Sequence, residues 1–285
     1  MTNLSNLRVL WDGDTILYAC GFAADSQVLK RLKEEQPGMG DEWYKEQLQQ
    51  EEYVSYALAN ARSVIEDVCN VFSNDYTIFL TGQGNFREHM ATLRQYKGNR
   101  DPNHKPKYYK DLKQYLLDVH GAVVVEGKEA DDELGCCQME AEPDTTVIVS
   151  IDKDLDNIPG HHYNWRKKEY YYVDQATADK LYWTQVLTGD TTDNIPGIPK
   201  VGPKTADKIL DGKSEWFDMA EAVLAKYIGT YGEIDGFHNF YENASLLWIQ
   251  RERDKNFDDN PYRFRRDEDE QQVYDCEEDS RGDRD

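Results

Sequence analysis

Three things are scarce in this sequence. Cysteine occurs five times, an odd number without metal-ligand spacing, and two of the five are adjacent, Cys136 and Cys137. A disulfide framework and a thiolate metal site are therefore excluded as sources of stability, and a reducing, cytoplasmic compartment is the simplest expectation. Long apolar runs are also missing. The longest are strand-sized and charges interrupt the rest, so neither a signal peptide nor a membrane span is expected. Basic residues are outnumbered, 33 Lys and Arg against 55 Asp and Glu, for a formal net charge of -22. That balance counts against a polyanionic partner, because phosphate binding rests on Lys and Arg.

What is present redistributes that charge. Much of the acid lies between Asp254 and Asp285, whose DEDE and CEEDSRGDRD runs read as a solvated, disordered tail. More lies near Glu34 to Glu52, and the remainder forms short clusters. Arg87 to Lys113 is the most positive stretch of the chain. At 285 residues the chain is long enough for one sizeable α/β domain and a smaller appendage.

The apolar pattern predicts strands at Leu7 to Leu10, running on to Asp12, and at Tyr76 to Leu80, Ala122 to Val125 and Thr146 to Ile151. Helical spacing lies between them, notably over Tyr53 to Phe72. Strands alternating with helices imply an α/β fold: a mainly parallel central sheet with helices on both faces. After Lys180 the pattern changes to helices separated by Gly/Pro turns: Ala178 to Leu187, the loop NIPGIPKVGPK, Thr205 to Leu210, Trp216 to Ile228, and a last segment from about Gly236 to Arg251. The expected division is a core over 1–180, a helical module over 181–253 with its hairpin at 194–206, and the tail over 254–285.

The acidic clusters are Asp12; Glu129, Asp131 and Asp132 in GKEADDELG; Asp152 and Asp154 in SIDKDL; and Asp190 and Asp193 in TGDTTDN. Each taken singly also fits a helix start or a capped turn. Brought together on one sheet edge they would repel one another unless cations neutralised them. Hydrolysis of a phosphodiester needs an activated water and a stabilised leaving oxygen, which a pair of Mg²⁺ ions ~4 Å apart supplies. Mg²⁺ in turn favours carboxylate oxygens.

Two further elements complete the pattern. Phe86-Arg87 and Tyr96-Lys97-Gly98-Asn99-Arg100 form a basic cluster. On a helix, Lys97 and Arg100 would share a face and act as a phosphate clamp, with Tyr96 free to stack on a base. A solvated basic helix is the bland alternative. Asn194 to Ala206 places closely spaced glycines before a helix with Pro203 at a favoured early position, so its backbone N–H groups suit a phosphate. A Walker A loop needs Lys directly after its second Gly, where Pro203 stands here, and a helix-hairpin-helix fits better.

GKEADD, SIDKDL, YKGNR and TGDTTDNIPGIPKVGPKTA, in this order, resemble the 5'-nuclease family of phage 5'-3' exonucleases, flap endonucleases and the N-terminal domains of bacterial DNA polymerases I. The resemblance covers about Val9 to Leu210. It implies a PIN-like sheet, a helical arch at about 83–115 and a helix-three-turn-helix module. It also implies two-metal hydrolysis by Mg²⁺, with Mn²⁺ as a substitute, at or near free 5' ends, flaps or nicks of DNA or RNA-DNA hybrids during replication.

Carried onto this sequence, one metal group would be Asp12, Glu129, Asp131 and Asp152 with Asp132 beside it, and the other Asp154, Asp190 and Asp193. Lys97 and Arg100 would join Asp131 and Asp132 in catalysis. Arg87, Tyr96, Lys97, Arg100, Gly197, Val201, Gly202, Lys204 and Thr205 would contact DNA, the hairpin through a K⁺ ion. Size and tail resemble a stand-alone bacteriophage enzyme, monomeric in the host cytoplasm, whose tail is a candidate contact for a replication protein.

One departure stands out. The family carries an Asp just after its second strand, whereas here Thr81 and Gly82 occupy the place and no carboxylate falls between Asp75 and Glu88. The site then works with one ligand fewer, or Asp14 helps through water. Two alternatives stand beside this resemblance. WDGDT and TGDTTD also resemble a haloacid-dehalogenase-type phosphatase, although Ile16 replaces the expected Thr or Val. A catalytically inactive protein that binds branched DNA is the other.

Overall fold

The computed structural model describes residues 4–49, 53–253 and 255–257. In chain order the core elements are β1 (Arg8–Asp12), α1 (Gly13–Glu35), α2 (Asp41–Leu48), α3 (Val54–Val71), β2 (Tyr76–Thr81), α4 (Arg87–Met90), α5 (Tyr109–His120), β3 (Val123–Val125), α6 (Ala130–Glu140), β4 (Thr146–Val149), β5 (Gly160–Asn164) and β6 (Glu169–Val173). The sheet order is β3-β2-β1-β4-β5-β6, parallel except for the antiparallel β5–β6 pair.

The central strands β1, β2 and β4 are buried on both faces, as their continuous apolar runs require. Val9, Trp11, Ile78, Leu80, Val147 and Val149 join the layer of α1, α3 and α5. The intervening Leu10, Phe79 and Ile148 pack with Ala130 and Leu134 of α6. The two-residue period thus sorts each strand between two helical layers. Gly13 lets α1 start against β2, since a Cβ there would stand 2.6 Å from the Phe79 carbonyl oxygen.

The helical unit comprises α7 (Gln175–Thr188), β7 (Gly189–Asp190), β8 (Ile195–Pro196), α8 (Pro203–Leu210), α9 (Trp216–Tyr231) and α10 (Glu233–Leu247). Its core is aromatic: Trp216 stacks on Tyr182 at 5.4 Å and packs on Trp183 at 4.8 Å between ring centroids. The expected boundary at 180/181 falls inside α7, whose Tyr182, Trp183, Val186 and Leu187 belong to this core. The last helix starts earlier than expected, at Glu233, and ends earlier, at Leu247. Backbone groups of Trp248 and Gln250 instead bond to Arg87 and Asp132.

A second correction concerns the arch. Helix occurs only at its two ends, in α4 and α5, and residues 91–108 form turns and irregular chain. Lys97 has a left-handed φ of 53°, which breaks any helix through the basic cluster. Thr92 and Leu93 donate backbone N–H bonds to buried Glu242 on α10 at 2.9 and 2.8 Å, fastening this stretch to the helical unit. The expected acidic tail lies outside the described residues apart from 255–257. Among the described residues no helix is long and apolar enough to cross a membrane.

Candidate active site

The C-terminal ends of β1, β2 and β4 open onto one cleft of about 1460 Å³. Asp12, Asp14, Glu129, Asp131, Asp152, Asp154, Asp190 and Asp193 all line it, as do Lys97 and Arg100. Parallel sheets place functional groups at this edge, where strand ends and helix starts meet. Every expected metal residue is therefore gathered at one place except Asp132.

Asp12 ends β1 and caps α1, accepting the Thr15 N–H at 3.2 Å and the Ser150 hydroxyl at 2.6 Å. Burial, and then the charges of Asp14 and Asp152, push its pKa up to about 7. Asp131 is raised well above the carboxylate range by burial and by Asp12, Asp152 and Glu129. Asp154 is likewise raised to about 7 by burial and by Asp152, Asp190 and Asp193. Its Oδ1 accepts the Gln185 amide at 3.0 Å. Asp190 accepts the Thr192 N–H at 2.7 Å, which fixes the turn carrying Asp193.

The basic segment docks directly on these acids. Lys97 pairs with Glu129 and lies 3.7 Å from Asp193, and Arg100 pairs with Asp193. The Lys97 backbone N–H donates to the Asp193 carbonyl at 2.9 Å, and the Asn194 side-chain amide donates to the Gln95 carbonyl at 2.9 Å. Among the described residues no three carboxylate, imidazole or thiol groups close on one point as a ready metal cage. The donor set of hard carboxylate oxygens, three of them on acids pushed upward by burial and then by one another, suits a divalent metal ion.

Three expected roles do not survive their surroundings. Asp132 is 0 % exposed and faces away from the cleft, paired with Arg87 through bonds of 2.7 and 2.8 Å. Burial alone would raise its pKa, but Arg87 and the N–H groups of Gln250 and Glu129 hold it below the usual range. Arg87, 2 % exposed, is thereby removed from any DNA surface. Tyr96 is 7 % exposed, so it cannot stack on a base; its hydroxyl donates to Asp193 at 2.8 Å and lies 3.1 Å from Glu129.

Thr81 stands where a carboxylate was missed, and it organises its neighbours. Its N–H donates to Asp14 at 3.2 Å and its hydroxyl oxygen accepts the Ala130 N–H at 2.9 Å. Asp14 is thus held at the end of β2, its pKa raised by burial and, against the Thr81 hydrogen bonds, by Glu129.

In the hairpin, a Cβ on Gly197 would meet the Thr188 carbonyl oxygen at 2.0 Å, so only glycine allows the chain to cross there. Gly202 caps α8, and Pro203, Lys204 and Thr205 are exposed in its first turn. Val201 is buried and its N–H donates to the Ile198 carbonyl at 3.0 Å. The N–H groups of Thr205 and Ala206 donate to the Gly202 carbonyl. The Val201 side chain thus packs into the turn.

The fold and site define an α/β protein whose acidic cleft receives a basic segment and adjoins a helical hairpin unit. No protein-family model matches the chain. Its homologues are named 5'-3' exonuclease and DNA polymerase I. The 5'-3' exonuclease of Buchnera aphidicola subsp. Baizongia pistaciae is 31% identical over 203 residues, 63% of this chain and 58% of that protein. The thermostable DNA polymerase I of Thermus aquaticus is 33% identical over 143 residues, 45% of this chain and 17% of that protein. The chain thus spans less than two thirds of either relative.

The fold matches the bacteriophage T5 flap endonuclease, solved with DNA and metal ions, at a TM-score of 0.55 and 16% identity, over 84% of this chain and 88% of that one. T5 5'-exonuclease with bound divalent metal (zinc) matches at 0.56 and 17% identity over the same shares of the two chains, 84% and 88%.

Proposed function

We propose that this chain is a divalent-metal-dependent 5'-nuclease, a 5'-3' exonuclease and flap endonuclease acting on DNA. The observation that carries this is the convergence, in one cleft, of seven acids expected from sequence, Asp12, Glu129, Asp131, Asp152, Asp154, Asp190 and Asp193, with Lys97 and Arg100 ion-paired among them. Homologues named 5'-3' exonuclease, and a fold shared with a nuclease solved with DNA and metal ions, support it.

Asp12, Glu129, Asp131 and Asp152 would hold one Mg²⁺ and Asp154, Asp190 and Asp193 the other, with Asp14 beside the first. When bound, such ions lower the pKa of water and stabilise a leaving oxygen. The chain's own groups do the rest. Lys97 and Arg100 exchange carboxylate partners for substrate phosphate, a bidentate option that the Arg100 guanidinium offers. Lys204 and Thr205 are exposed and Gly202 half-buried at the start of α8, where the helix dipole and the Lys204 side chain would favour a duplex phosphate, with K⁺ as a further ion there.

A haloacid-type phosphatase would give Glu129, Asp131 and Lys97 no role, and an inactive binder would have no use for crowded acids. RNA-DNA hybrids are included in the substrate range, and replication in a host cytoplasm is the setting. The test is cleavage of a 5'-labelled flap, a nicked duplex and an RNA-DNA hybrid with and without Mg²⁺, followed by product sizing. Mg²⁺-dependent nucleotide release is expected. Turnover of a small phosphomonoester with intact DNA would refute it.

A further inference from the structure

Arg87 and Asp132 form a buried node that joins three parts of the molecule. Besides its two bonds to Asp132, the guanidinium donates from Nε to the Leu246 carbonyl at 2.9 Å and from Nη2 to the Trp248 carbonyl at 2.5 Å. Asp132 accepts two backbone N–H groups as well, from Gln250 at 3.0 Å and from Glu129 at 3.1 Å. Asn85 adds a parallel strut: its side-chain oxygen accepts the Arg87 N–H at 3.1 Å while its amide donates to Glu129 at 2.9 Å. The node thus connects the start of α4, the first turn of α6 with Glu129 and Asp131, and the stretch that leaves α10.

Neither partner can turn toward the cleft or the solvent without leaving the other charged and unpaired in the interior, which is strongly unfavourable. The geometry points to Arg87 and Asp132 as positioning residues: they lock the first turn of α6, and with it Glu129 and Asp131, to the C-terminal stretch of the helical unit. Cleft and hairpin unit are then held in one register. Hydrogen-bonding partners that orient ligand-bearing groups typically change metal affinity or activity by about 10- to 100-fold when removed. This inference rests on the nuclease reading above.

The test uses the full chain with Arg87→Lys and Asp132→Asn, and reads Mn²⁺ binding, DNA binding without divalent metal across a salt series, kcat and KM, and Tm. For Arg87→Lys the expected result is Mn²⁺ half-saturation weakened about 10- to 100-fold and a lower kcat. KM and the salt slope should match wild type. In Arg87→Gln, which removes the charge, a salt slope reduced by about one would make Arg87 a phosphate contact and overturn the inference. Loss of one bound Mn²⁺ in Asp132→Asn would make that residue a ligand and overturn it too. A lowered Tm with wild-type Mn²⁺ affinity and kcat below the transition would leave the pair merely structural. Should either variant fail to fold, Asn85→Ala removes the parallel strut at smaller cost, and the expectation is weaker Mn²⁺ binding with unchanged DNA affinity; unchanged Mn²⁺ binding would contradict it. A wild type that binds no Mn²⁺ would sink the nuclease reading itself, whereas Mn²⁺ binding by wild type and an identical Arg87→Lys would sink this inference alone.

Discussion

Lys97 is ion-paired with Glu129 at the start of α6, and the same ammonium lies 3.7 Å from Asp193. One cation therefore stands between the two acidic groups, and the buried Tyr96 hydroxyl spans the same gap. The positive φ of Lys97 serves this placement, because a helical backbone would carry the side chain elsewhere. Lys97→Ala should reduce cleavage of a 5'-flap by roughly 10²-fold or more while the circular dichroism spectrum is unchanged, the size expected when a preorganised charge is removed. Wild-type turnover would refute the clamp.

Asp131→Asn and Asp190→Asn test the two groups separately. Each replaces a carboxylate of the cleft with an amide of the same shape, and each should abolish Mg²⁺-dependent cleavage while DNA affinity stays within about threefold, a shift under 1 kcal/mol. Unchanged cleavage in both variants would remove the two-metal assignment.

Asp14 is held by Thr81 where the family resemblance leaves a gap. Asp14→Asn should raise the Mg²⁺ concentration for half-maximal activity by roughly tenfold or more, as for loss of a group that orients or supports the metal. An unaltered Mg²⁺ requirement would mean that the site works with one carboxylate fewer.

The raised acids give a signed pH dependence. The folded pKa values of Asp12 and Asp154, about 7, lie above the ordinary 3.8. Their contribution to stability is thus complete below about pH 4 and is lost as pH rises through about 7. Divalent ions bind the deprotonated acids, so the rise in Tm on adding Mg²⁺ should be larger at pH 8 than at pH 5.5. Below pH 7, metal affinity should fall about tenfold per pH unit for each proton displaced. An equal rise in Tm at both pH values would contradict this.

The strands that deliver Asp12 and the β2, β3 and β4 ends were legible because burial on both faces demands continuous apolar runs. The strands β5 and β6 were not. Their GHHYN and EYYYV sequences lack such runs, and the polar groups are satisfied locally, His161 by Asp144 and Tyr170 at 2.8 Å each and His162 by the Ile158 carbonyl. The gathering of the acids was legible from their spacing after strands and before helices. The fates of Arg87, Asp132 and Tyr96 were not, because a charged or aromatic residue in a motif reads the same whether it meets solvent or a partner. The partners of Arg87 at Leu246 and Trp248 are remote in sequence and only the fold brings them together.

Cleavage by this cleft should start at the 5' end and require a divalent metal. It is tested most directly by one duplex carrying a label on either the 5' or the 3' end of the same strand, incubated with Mg²⁺. Early release of the 5' label as short products and progressive shortening of the 3'-labelled strand are expected, and neither in EDTA. Early release of the 3' label, or degradation that persists in EDTA, would contradict it.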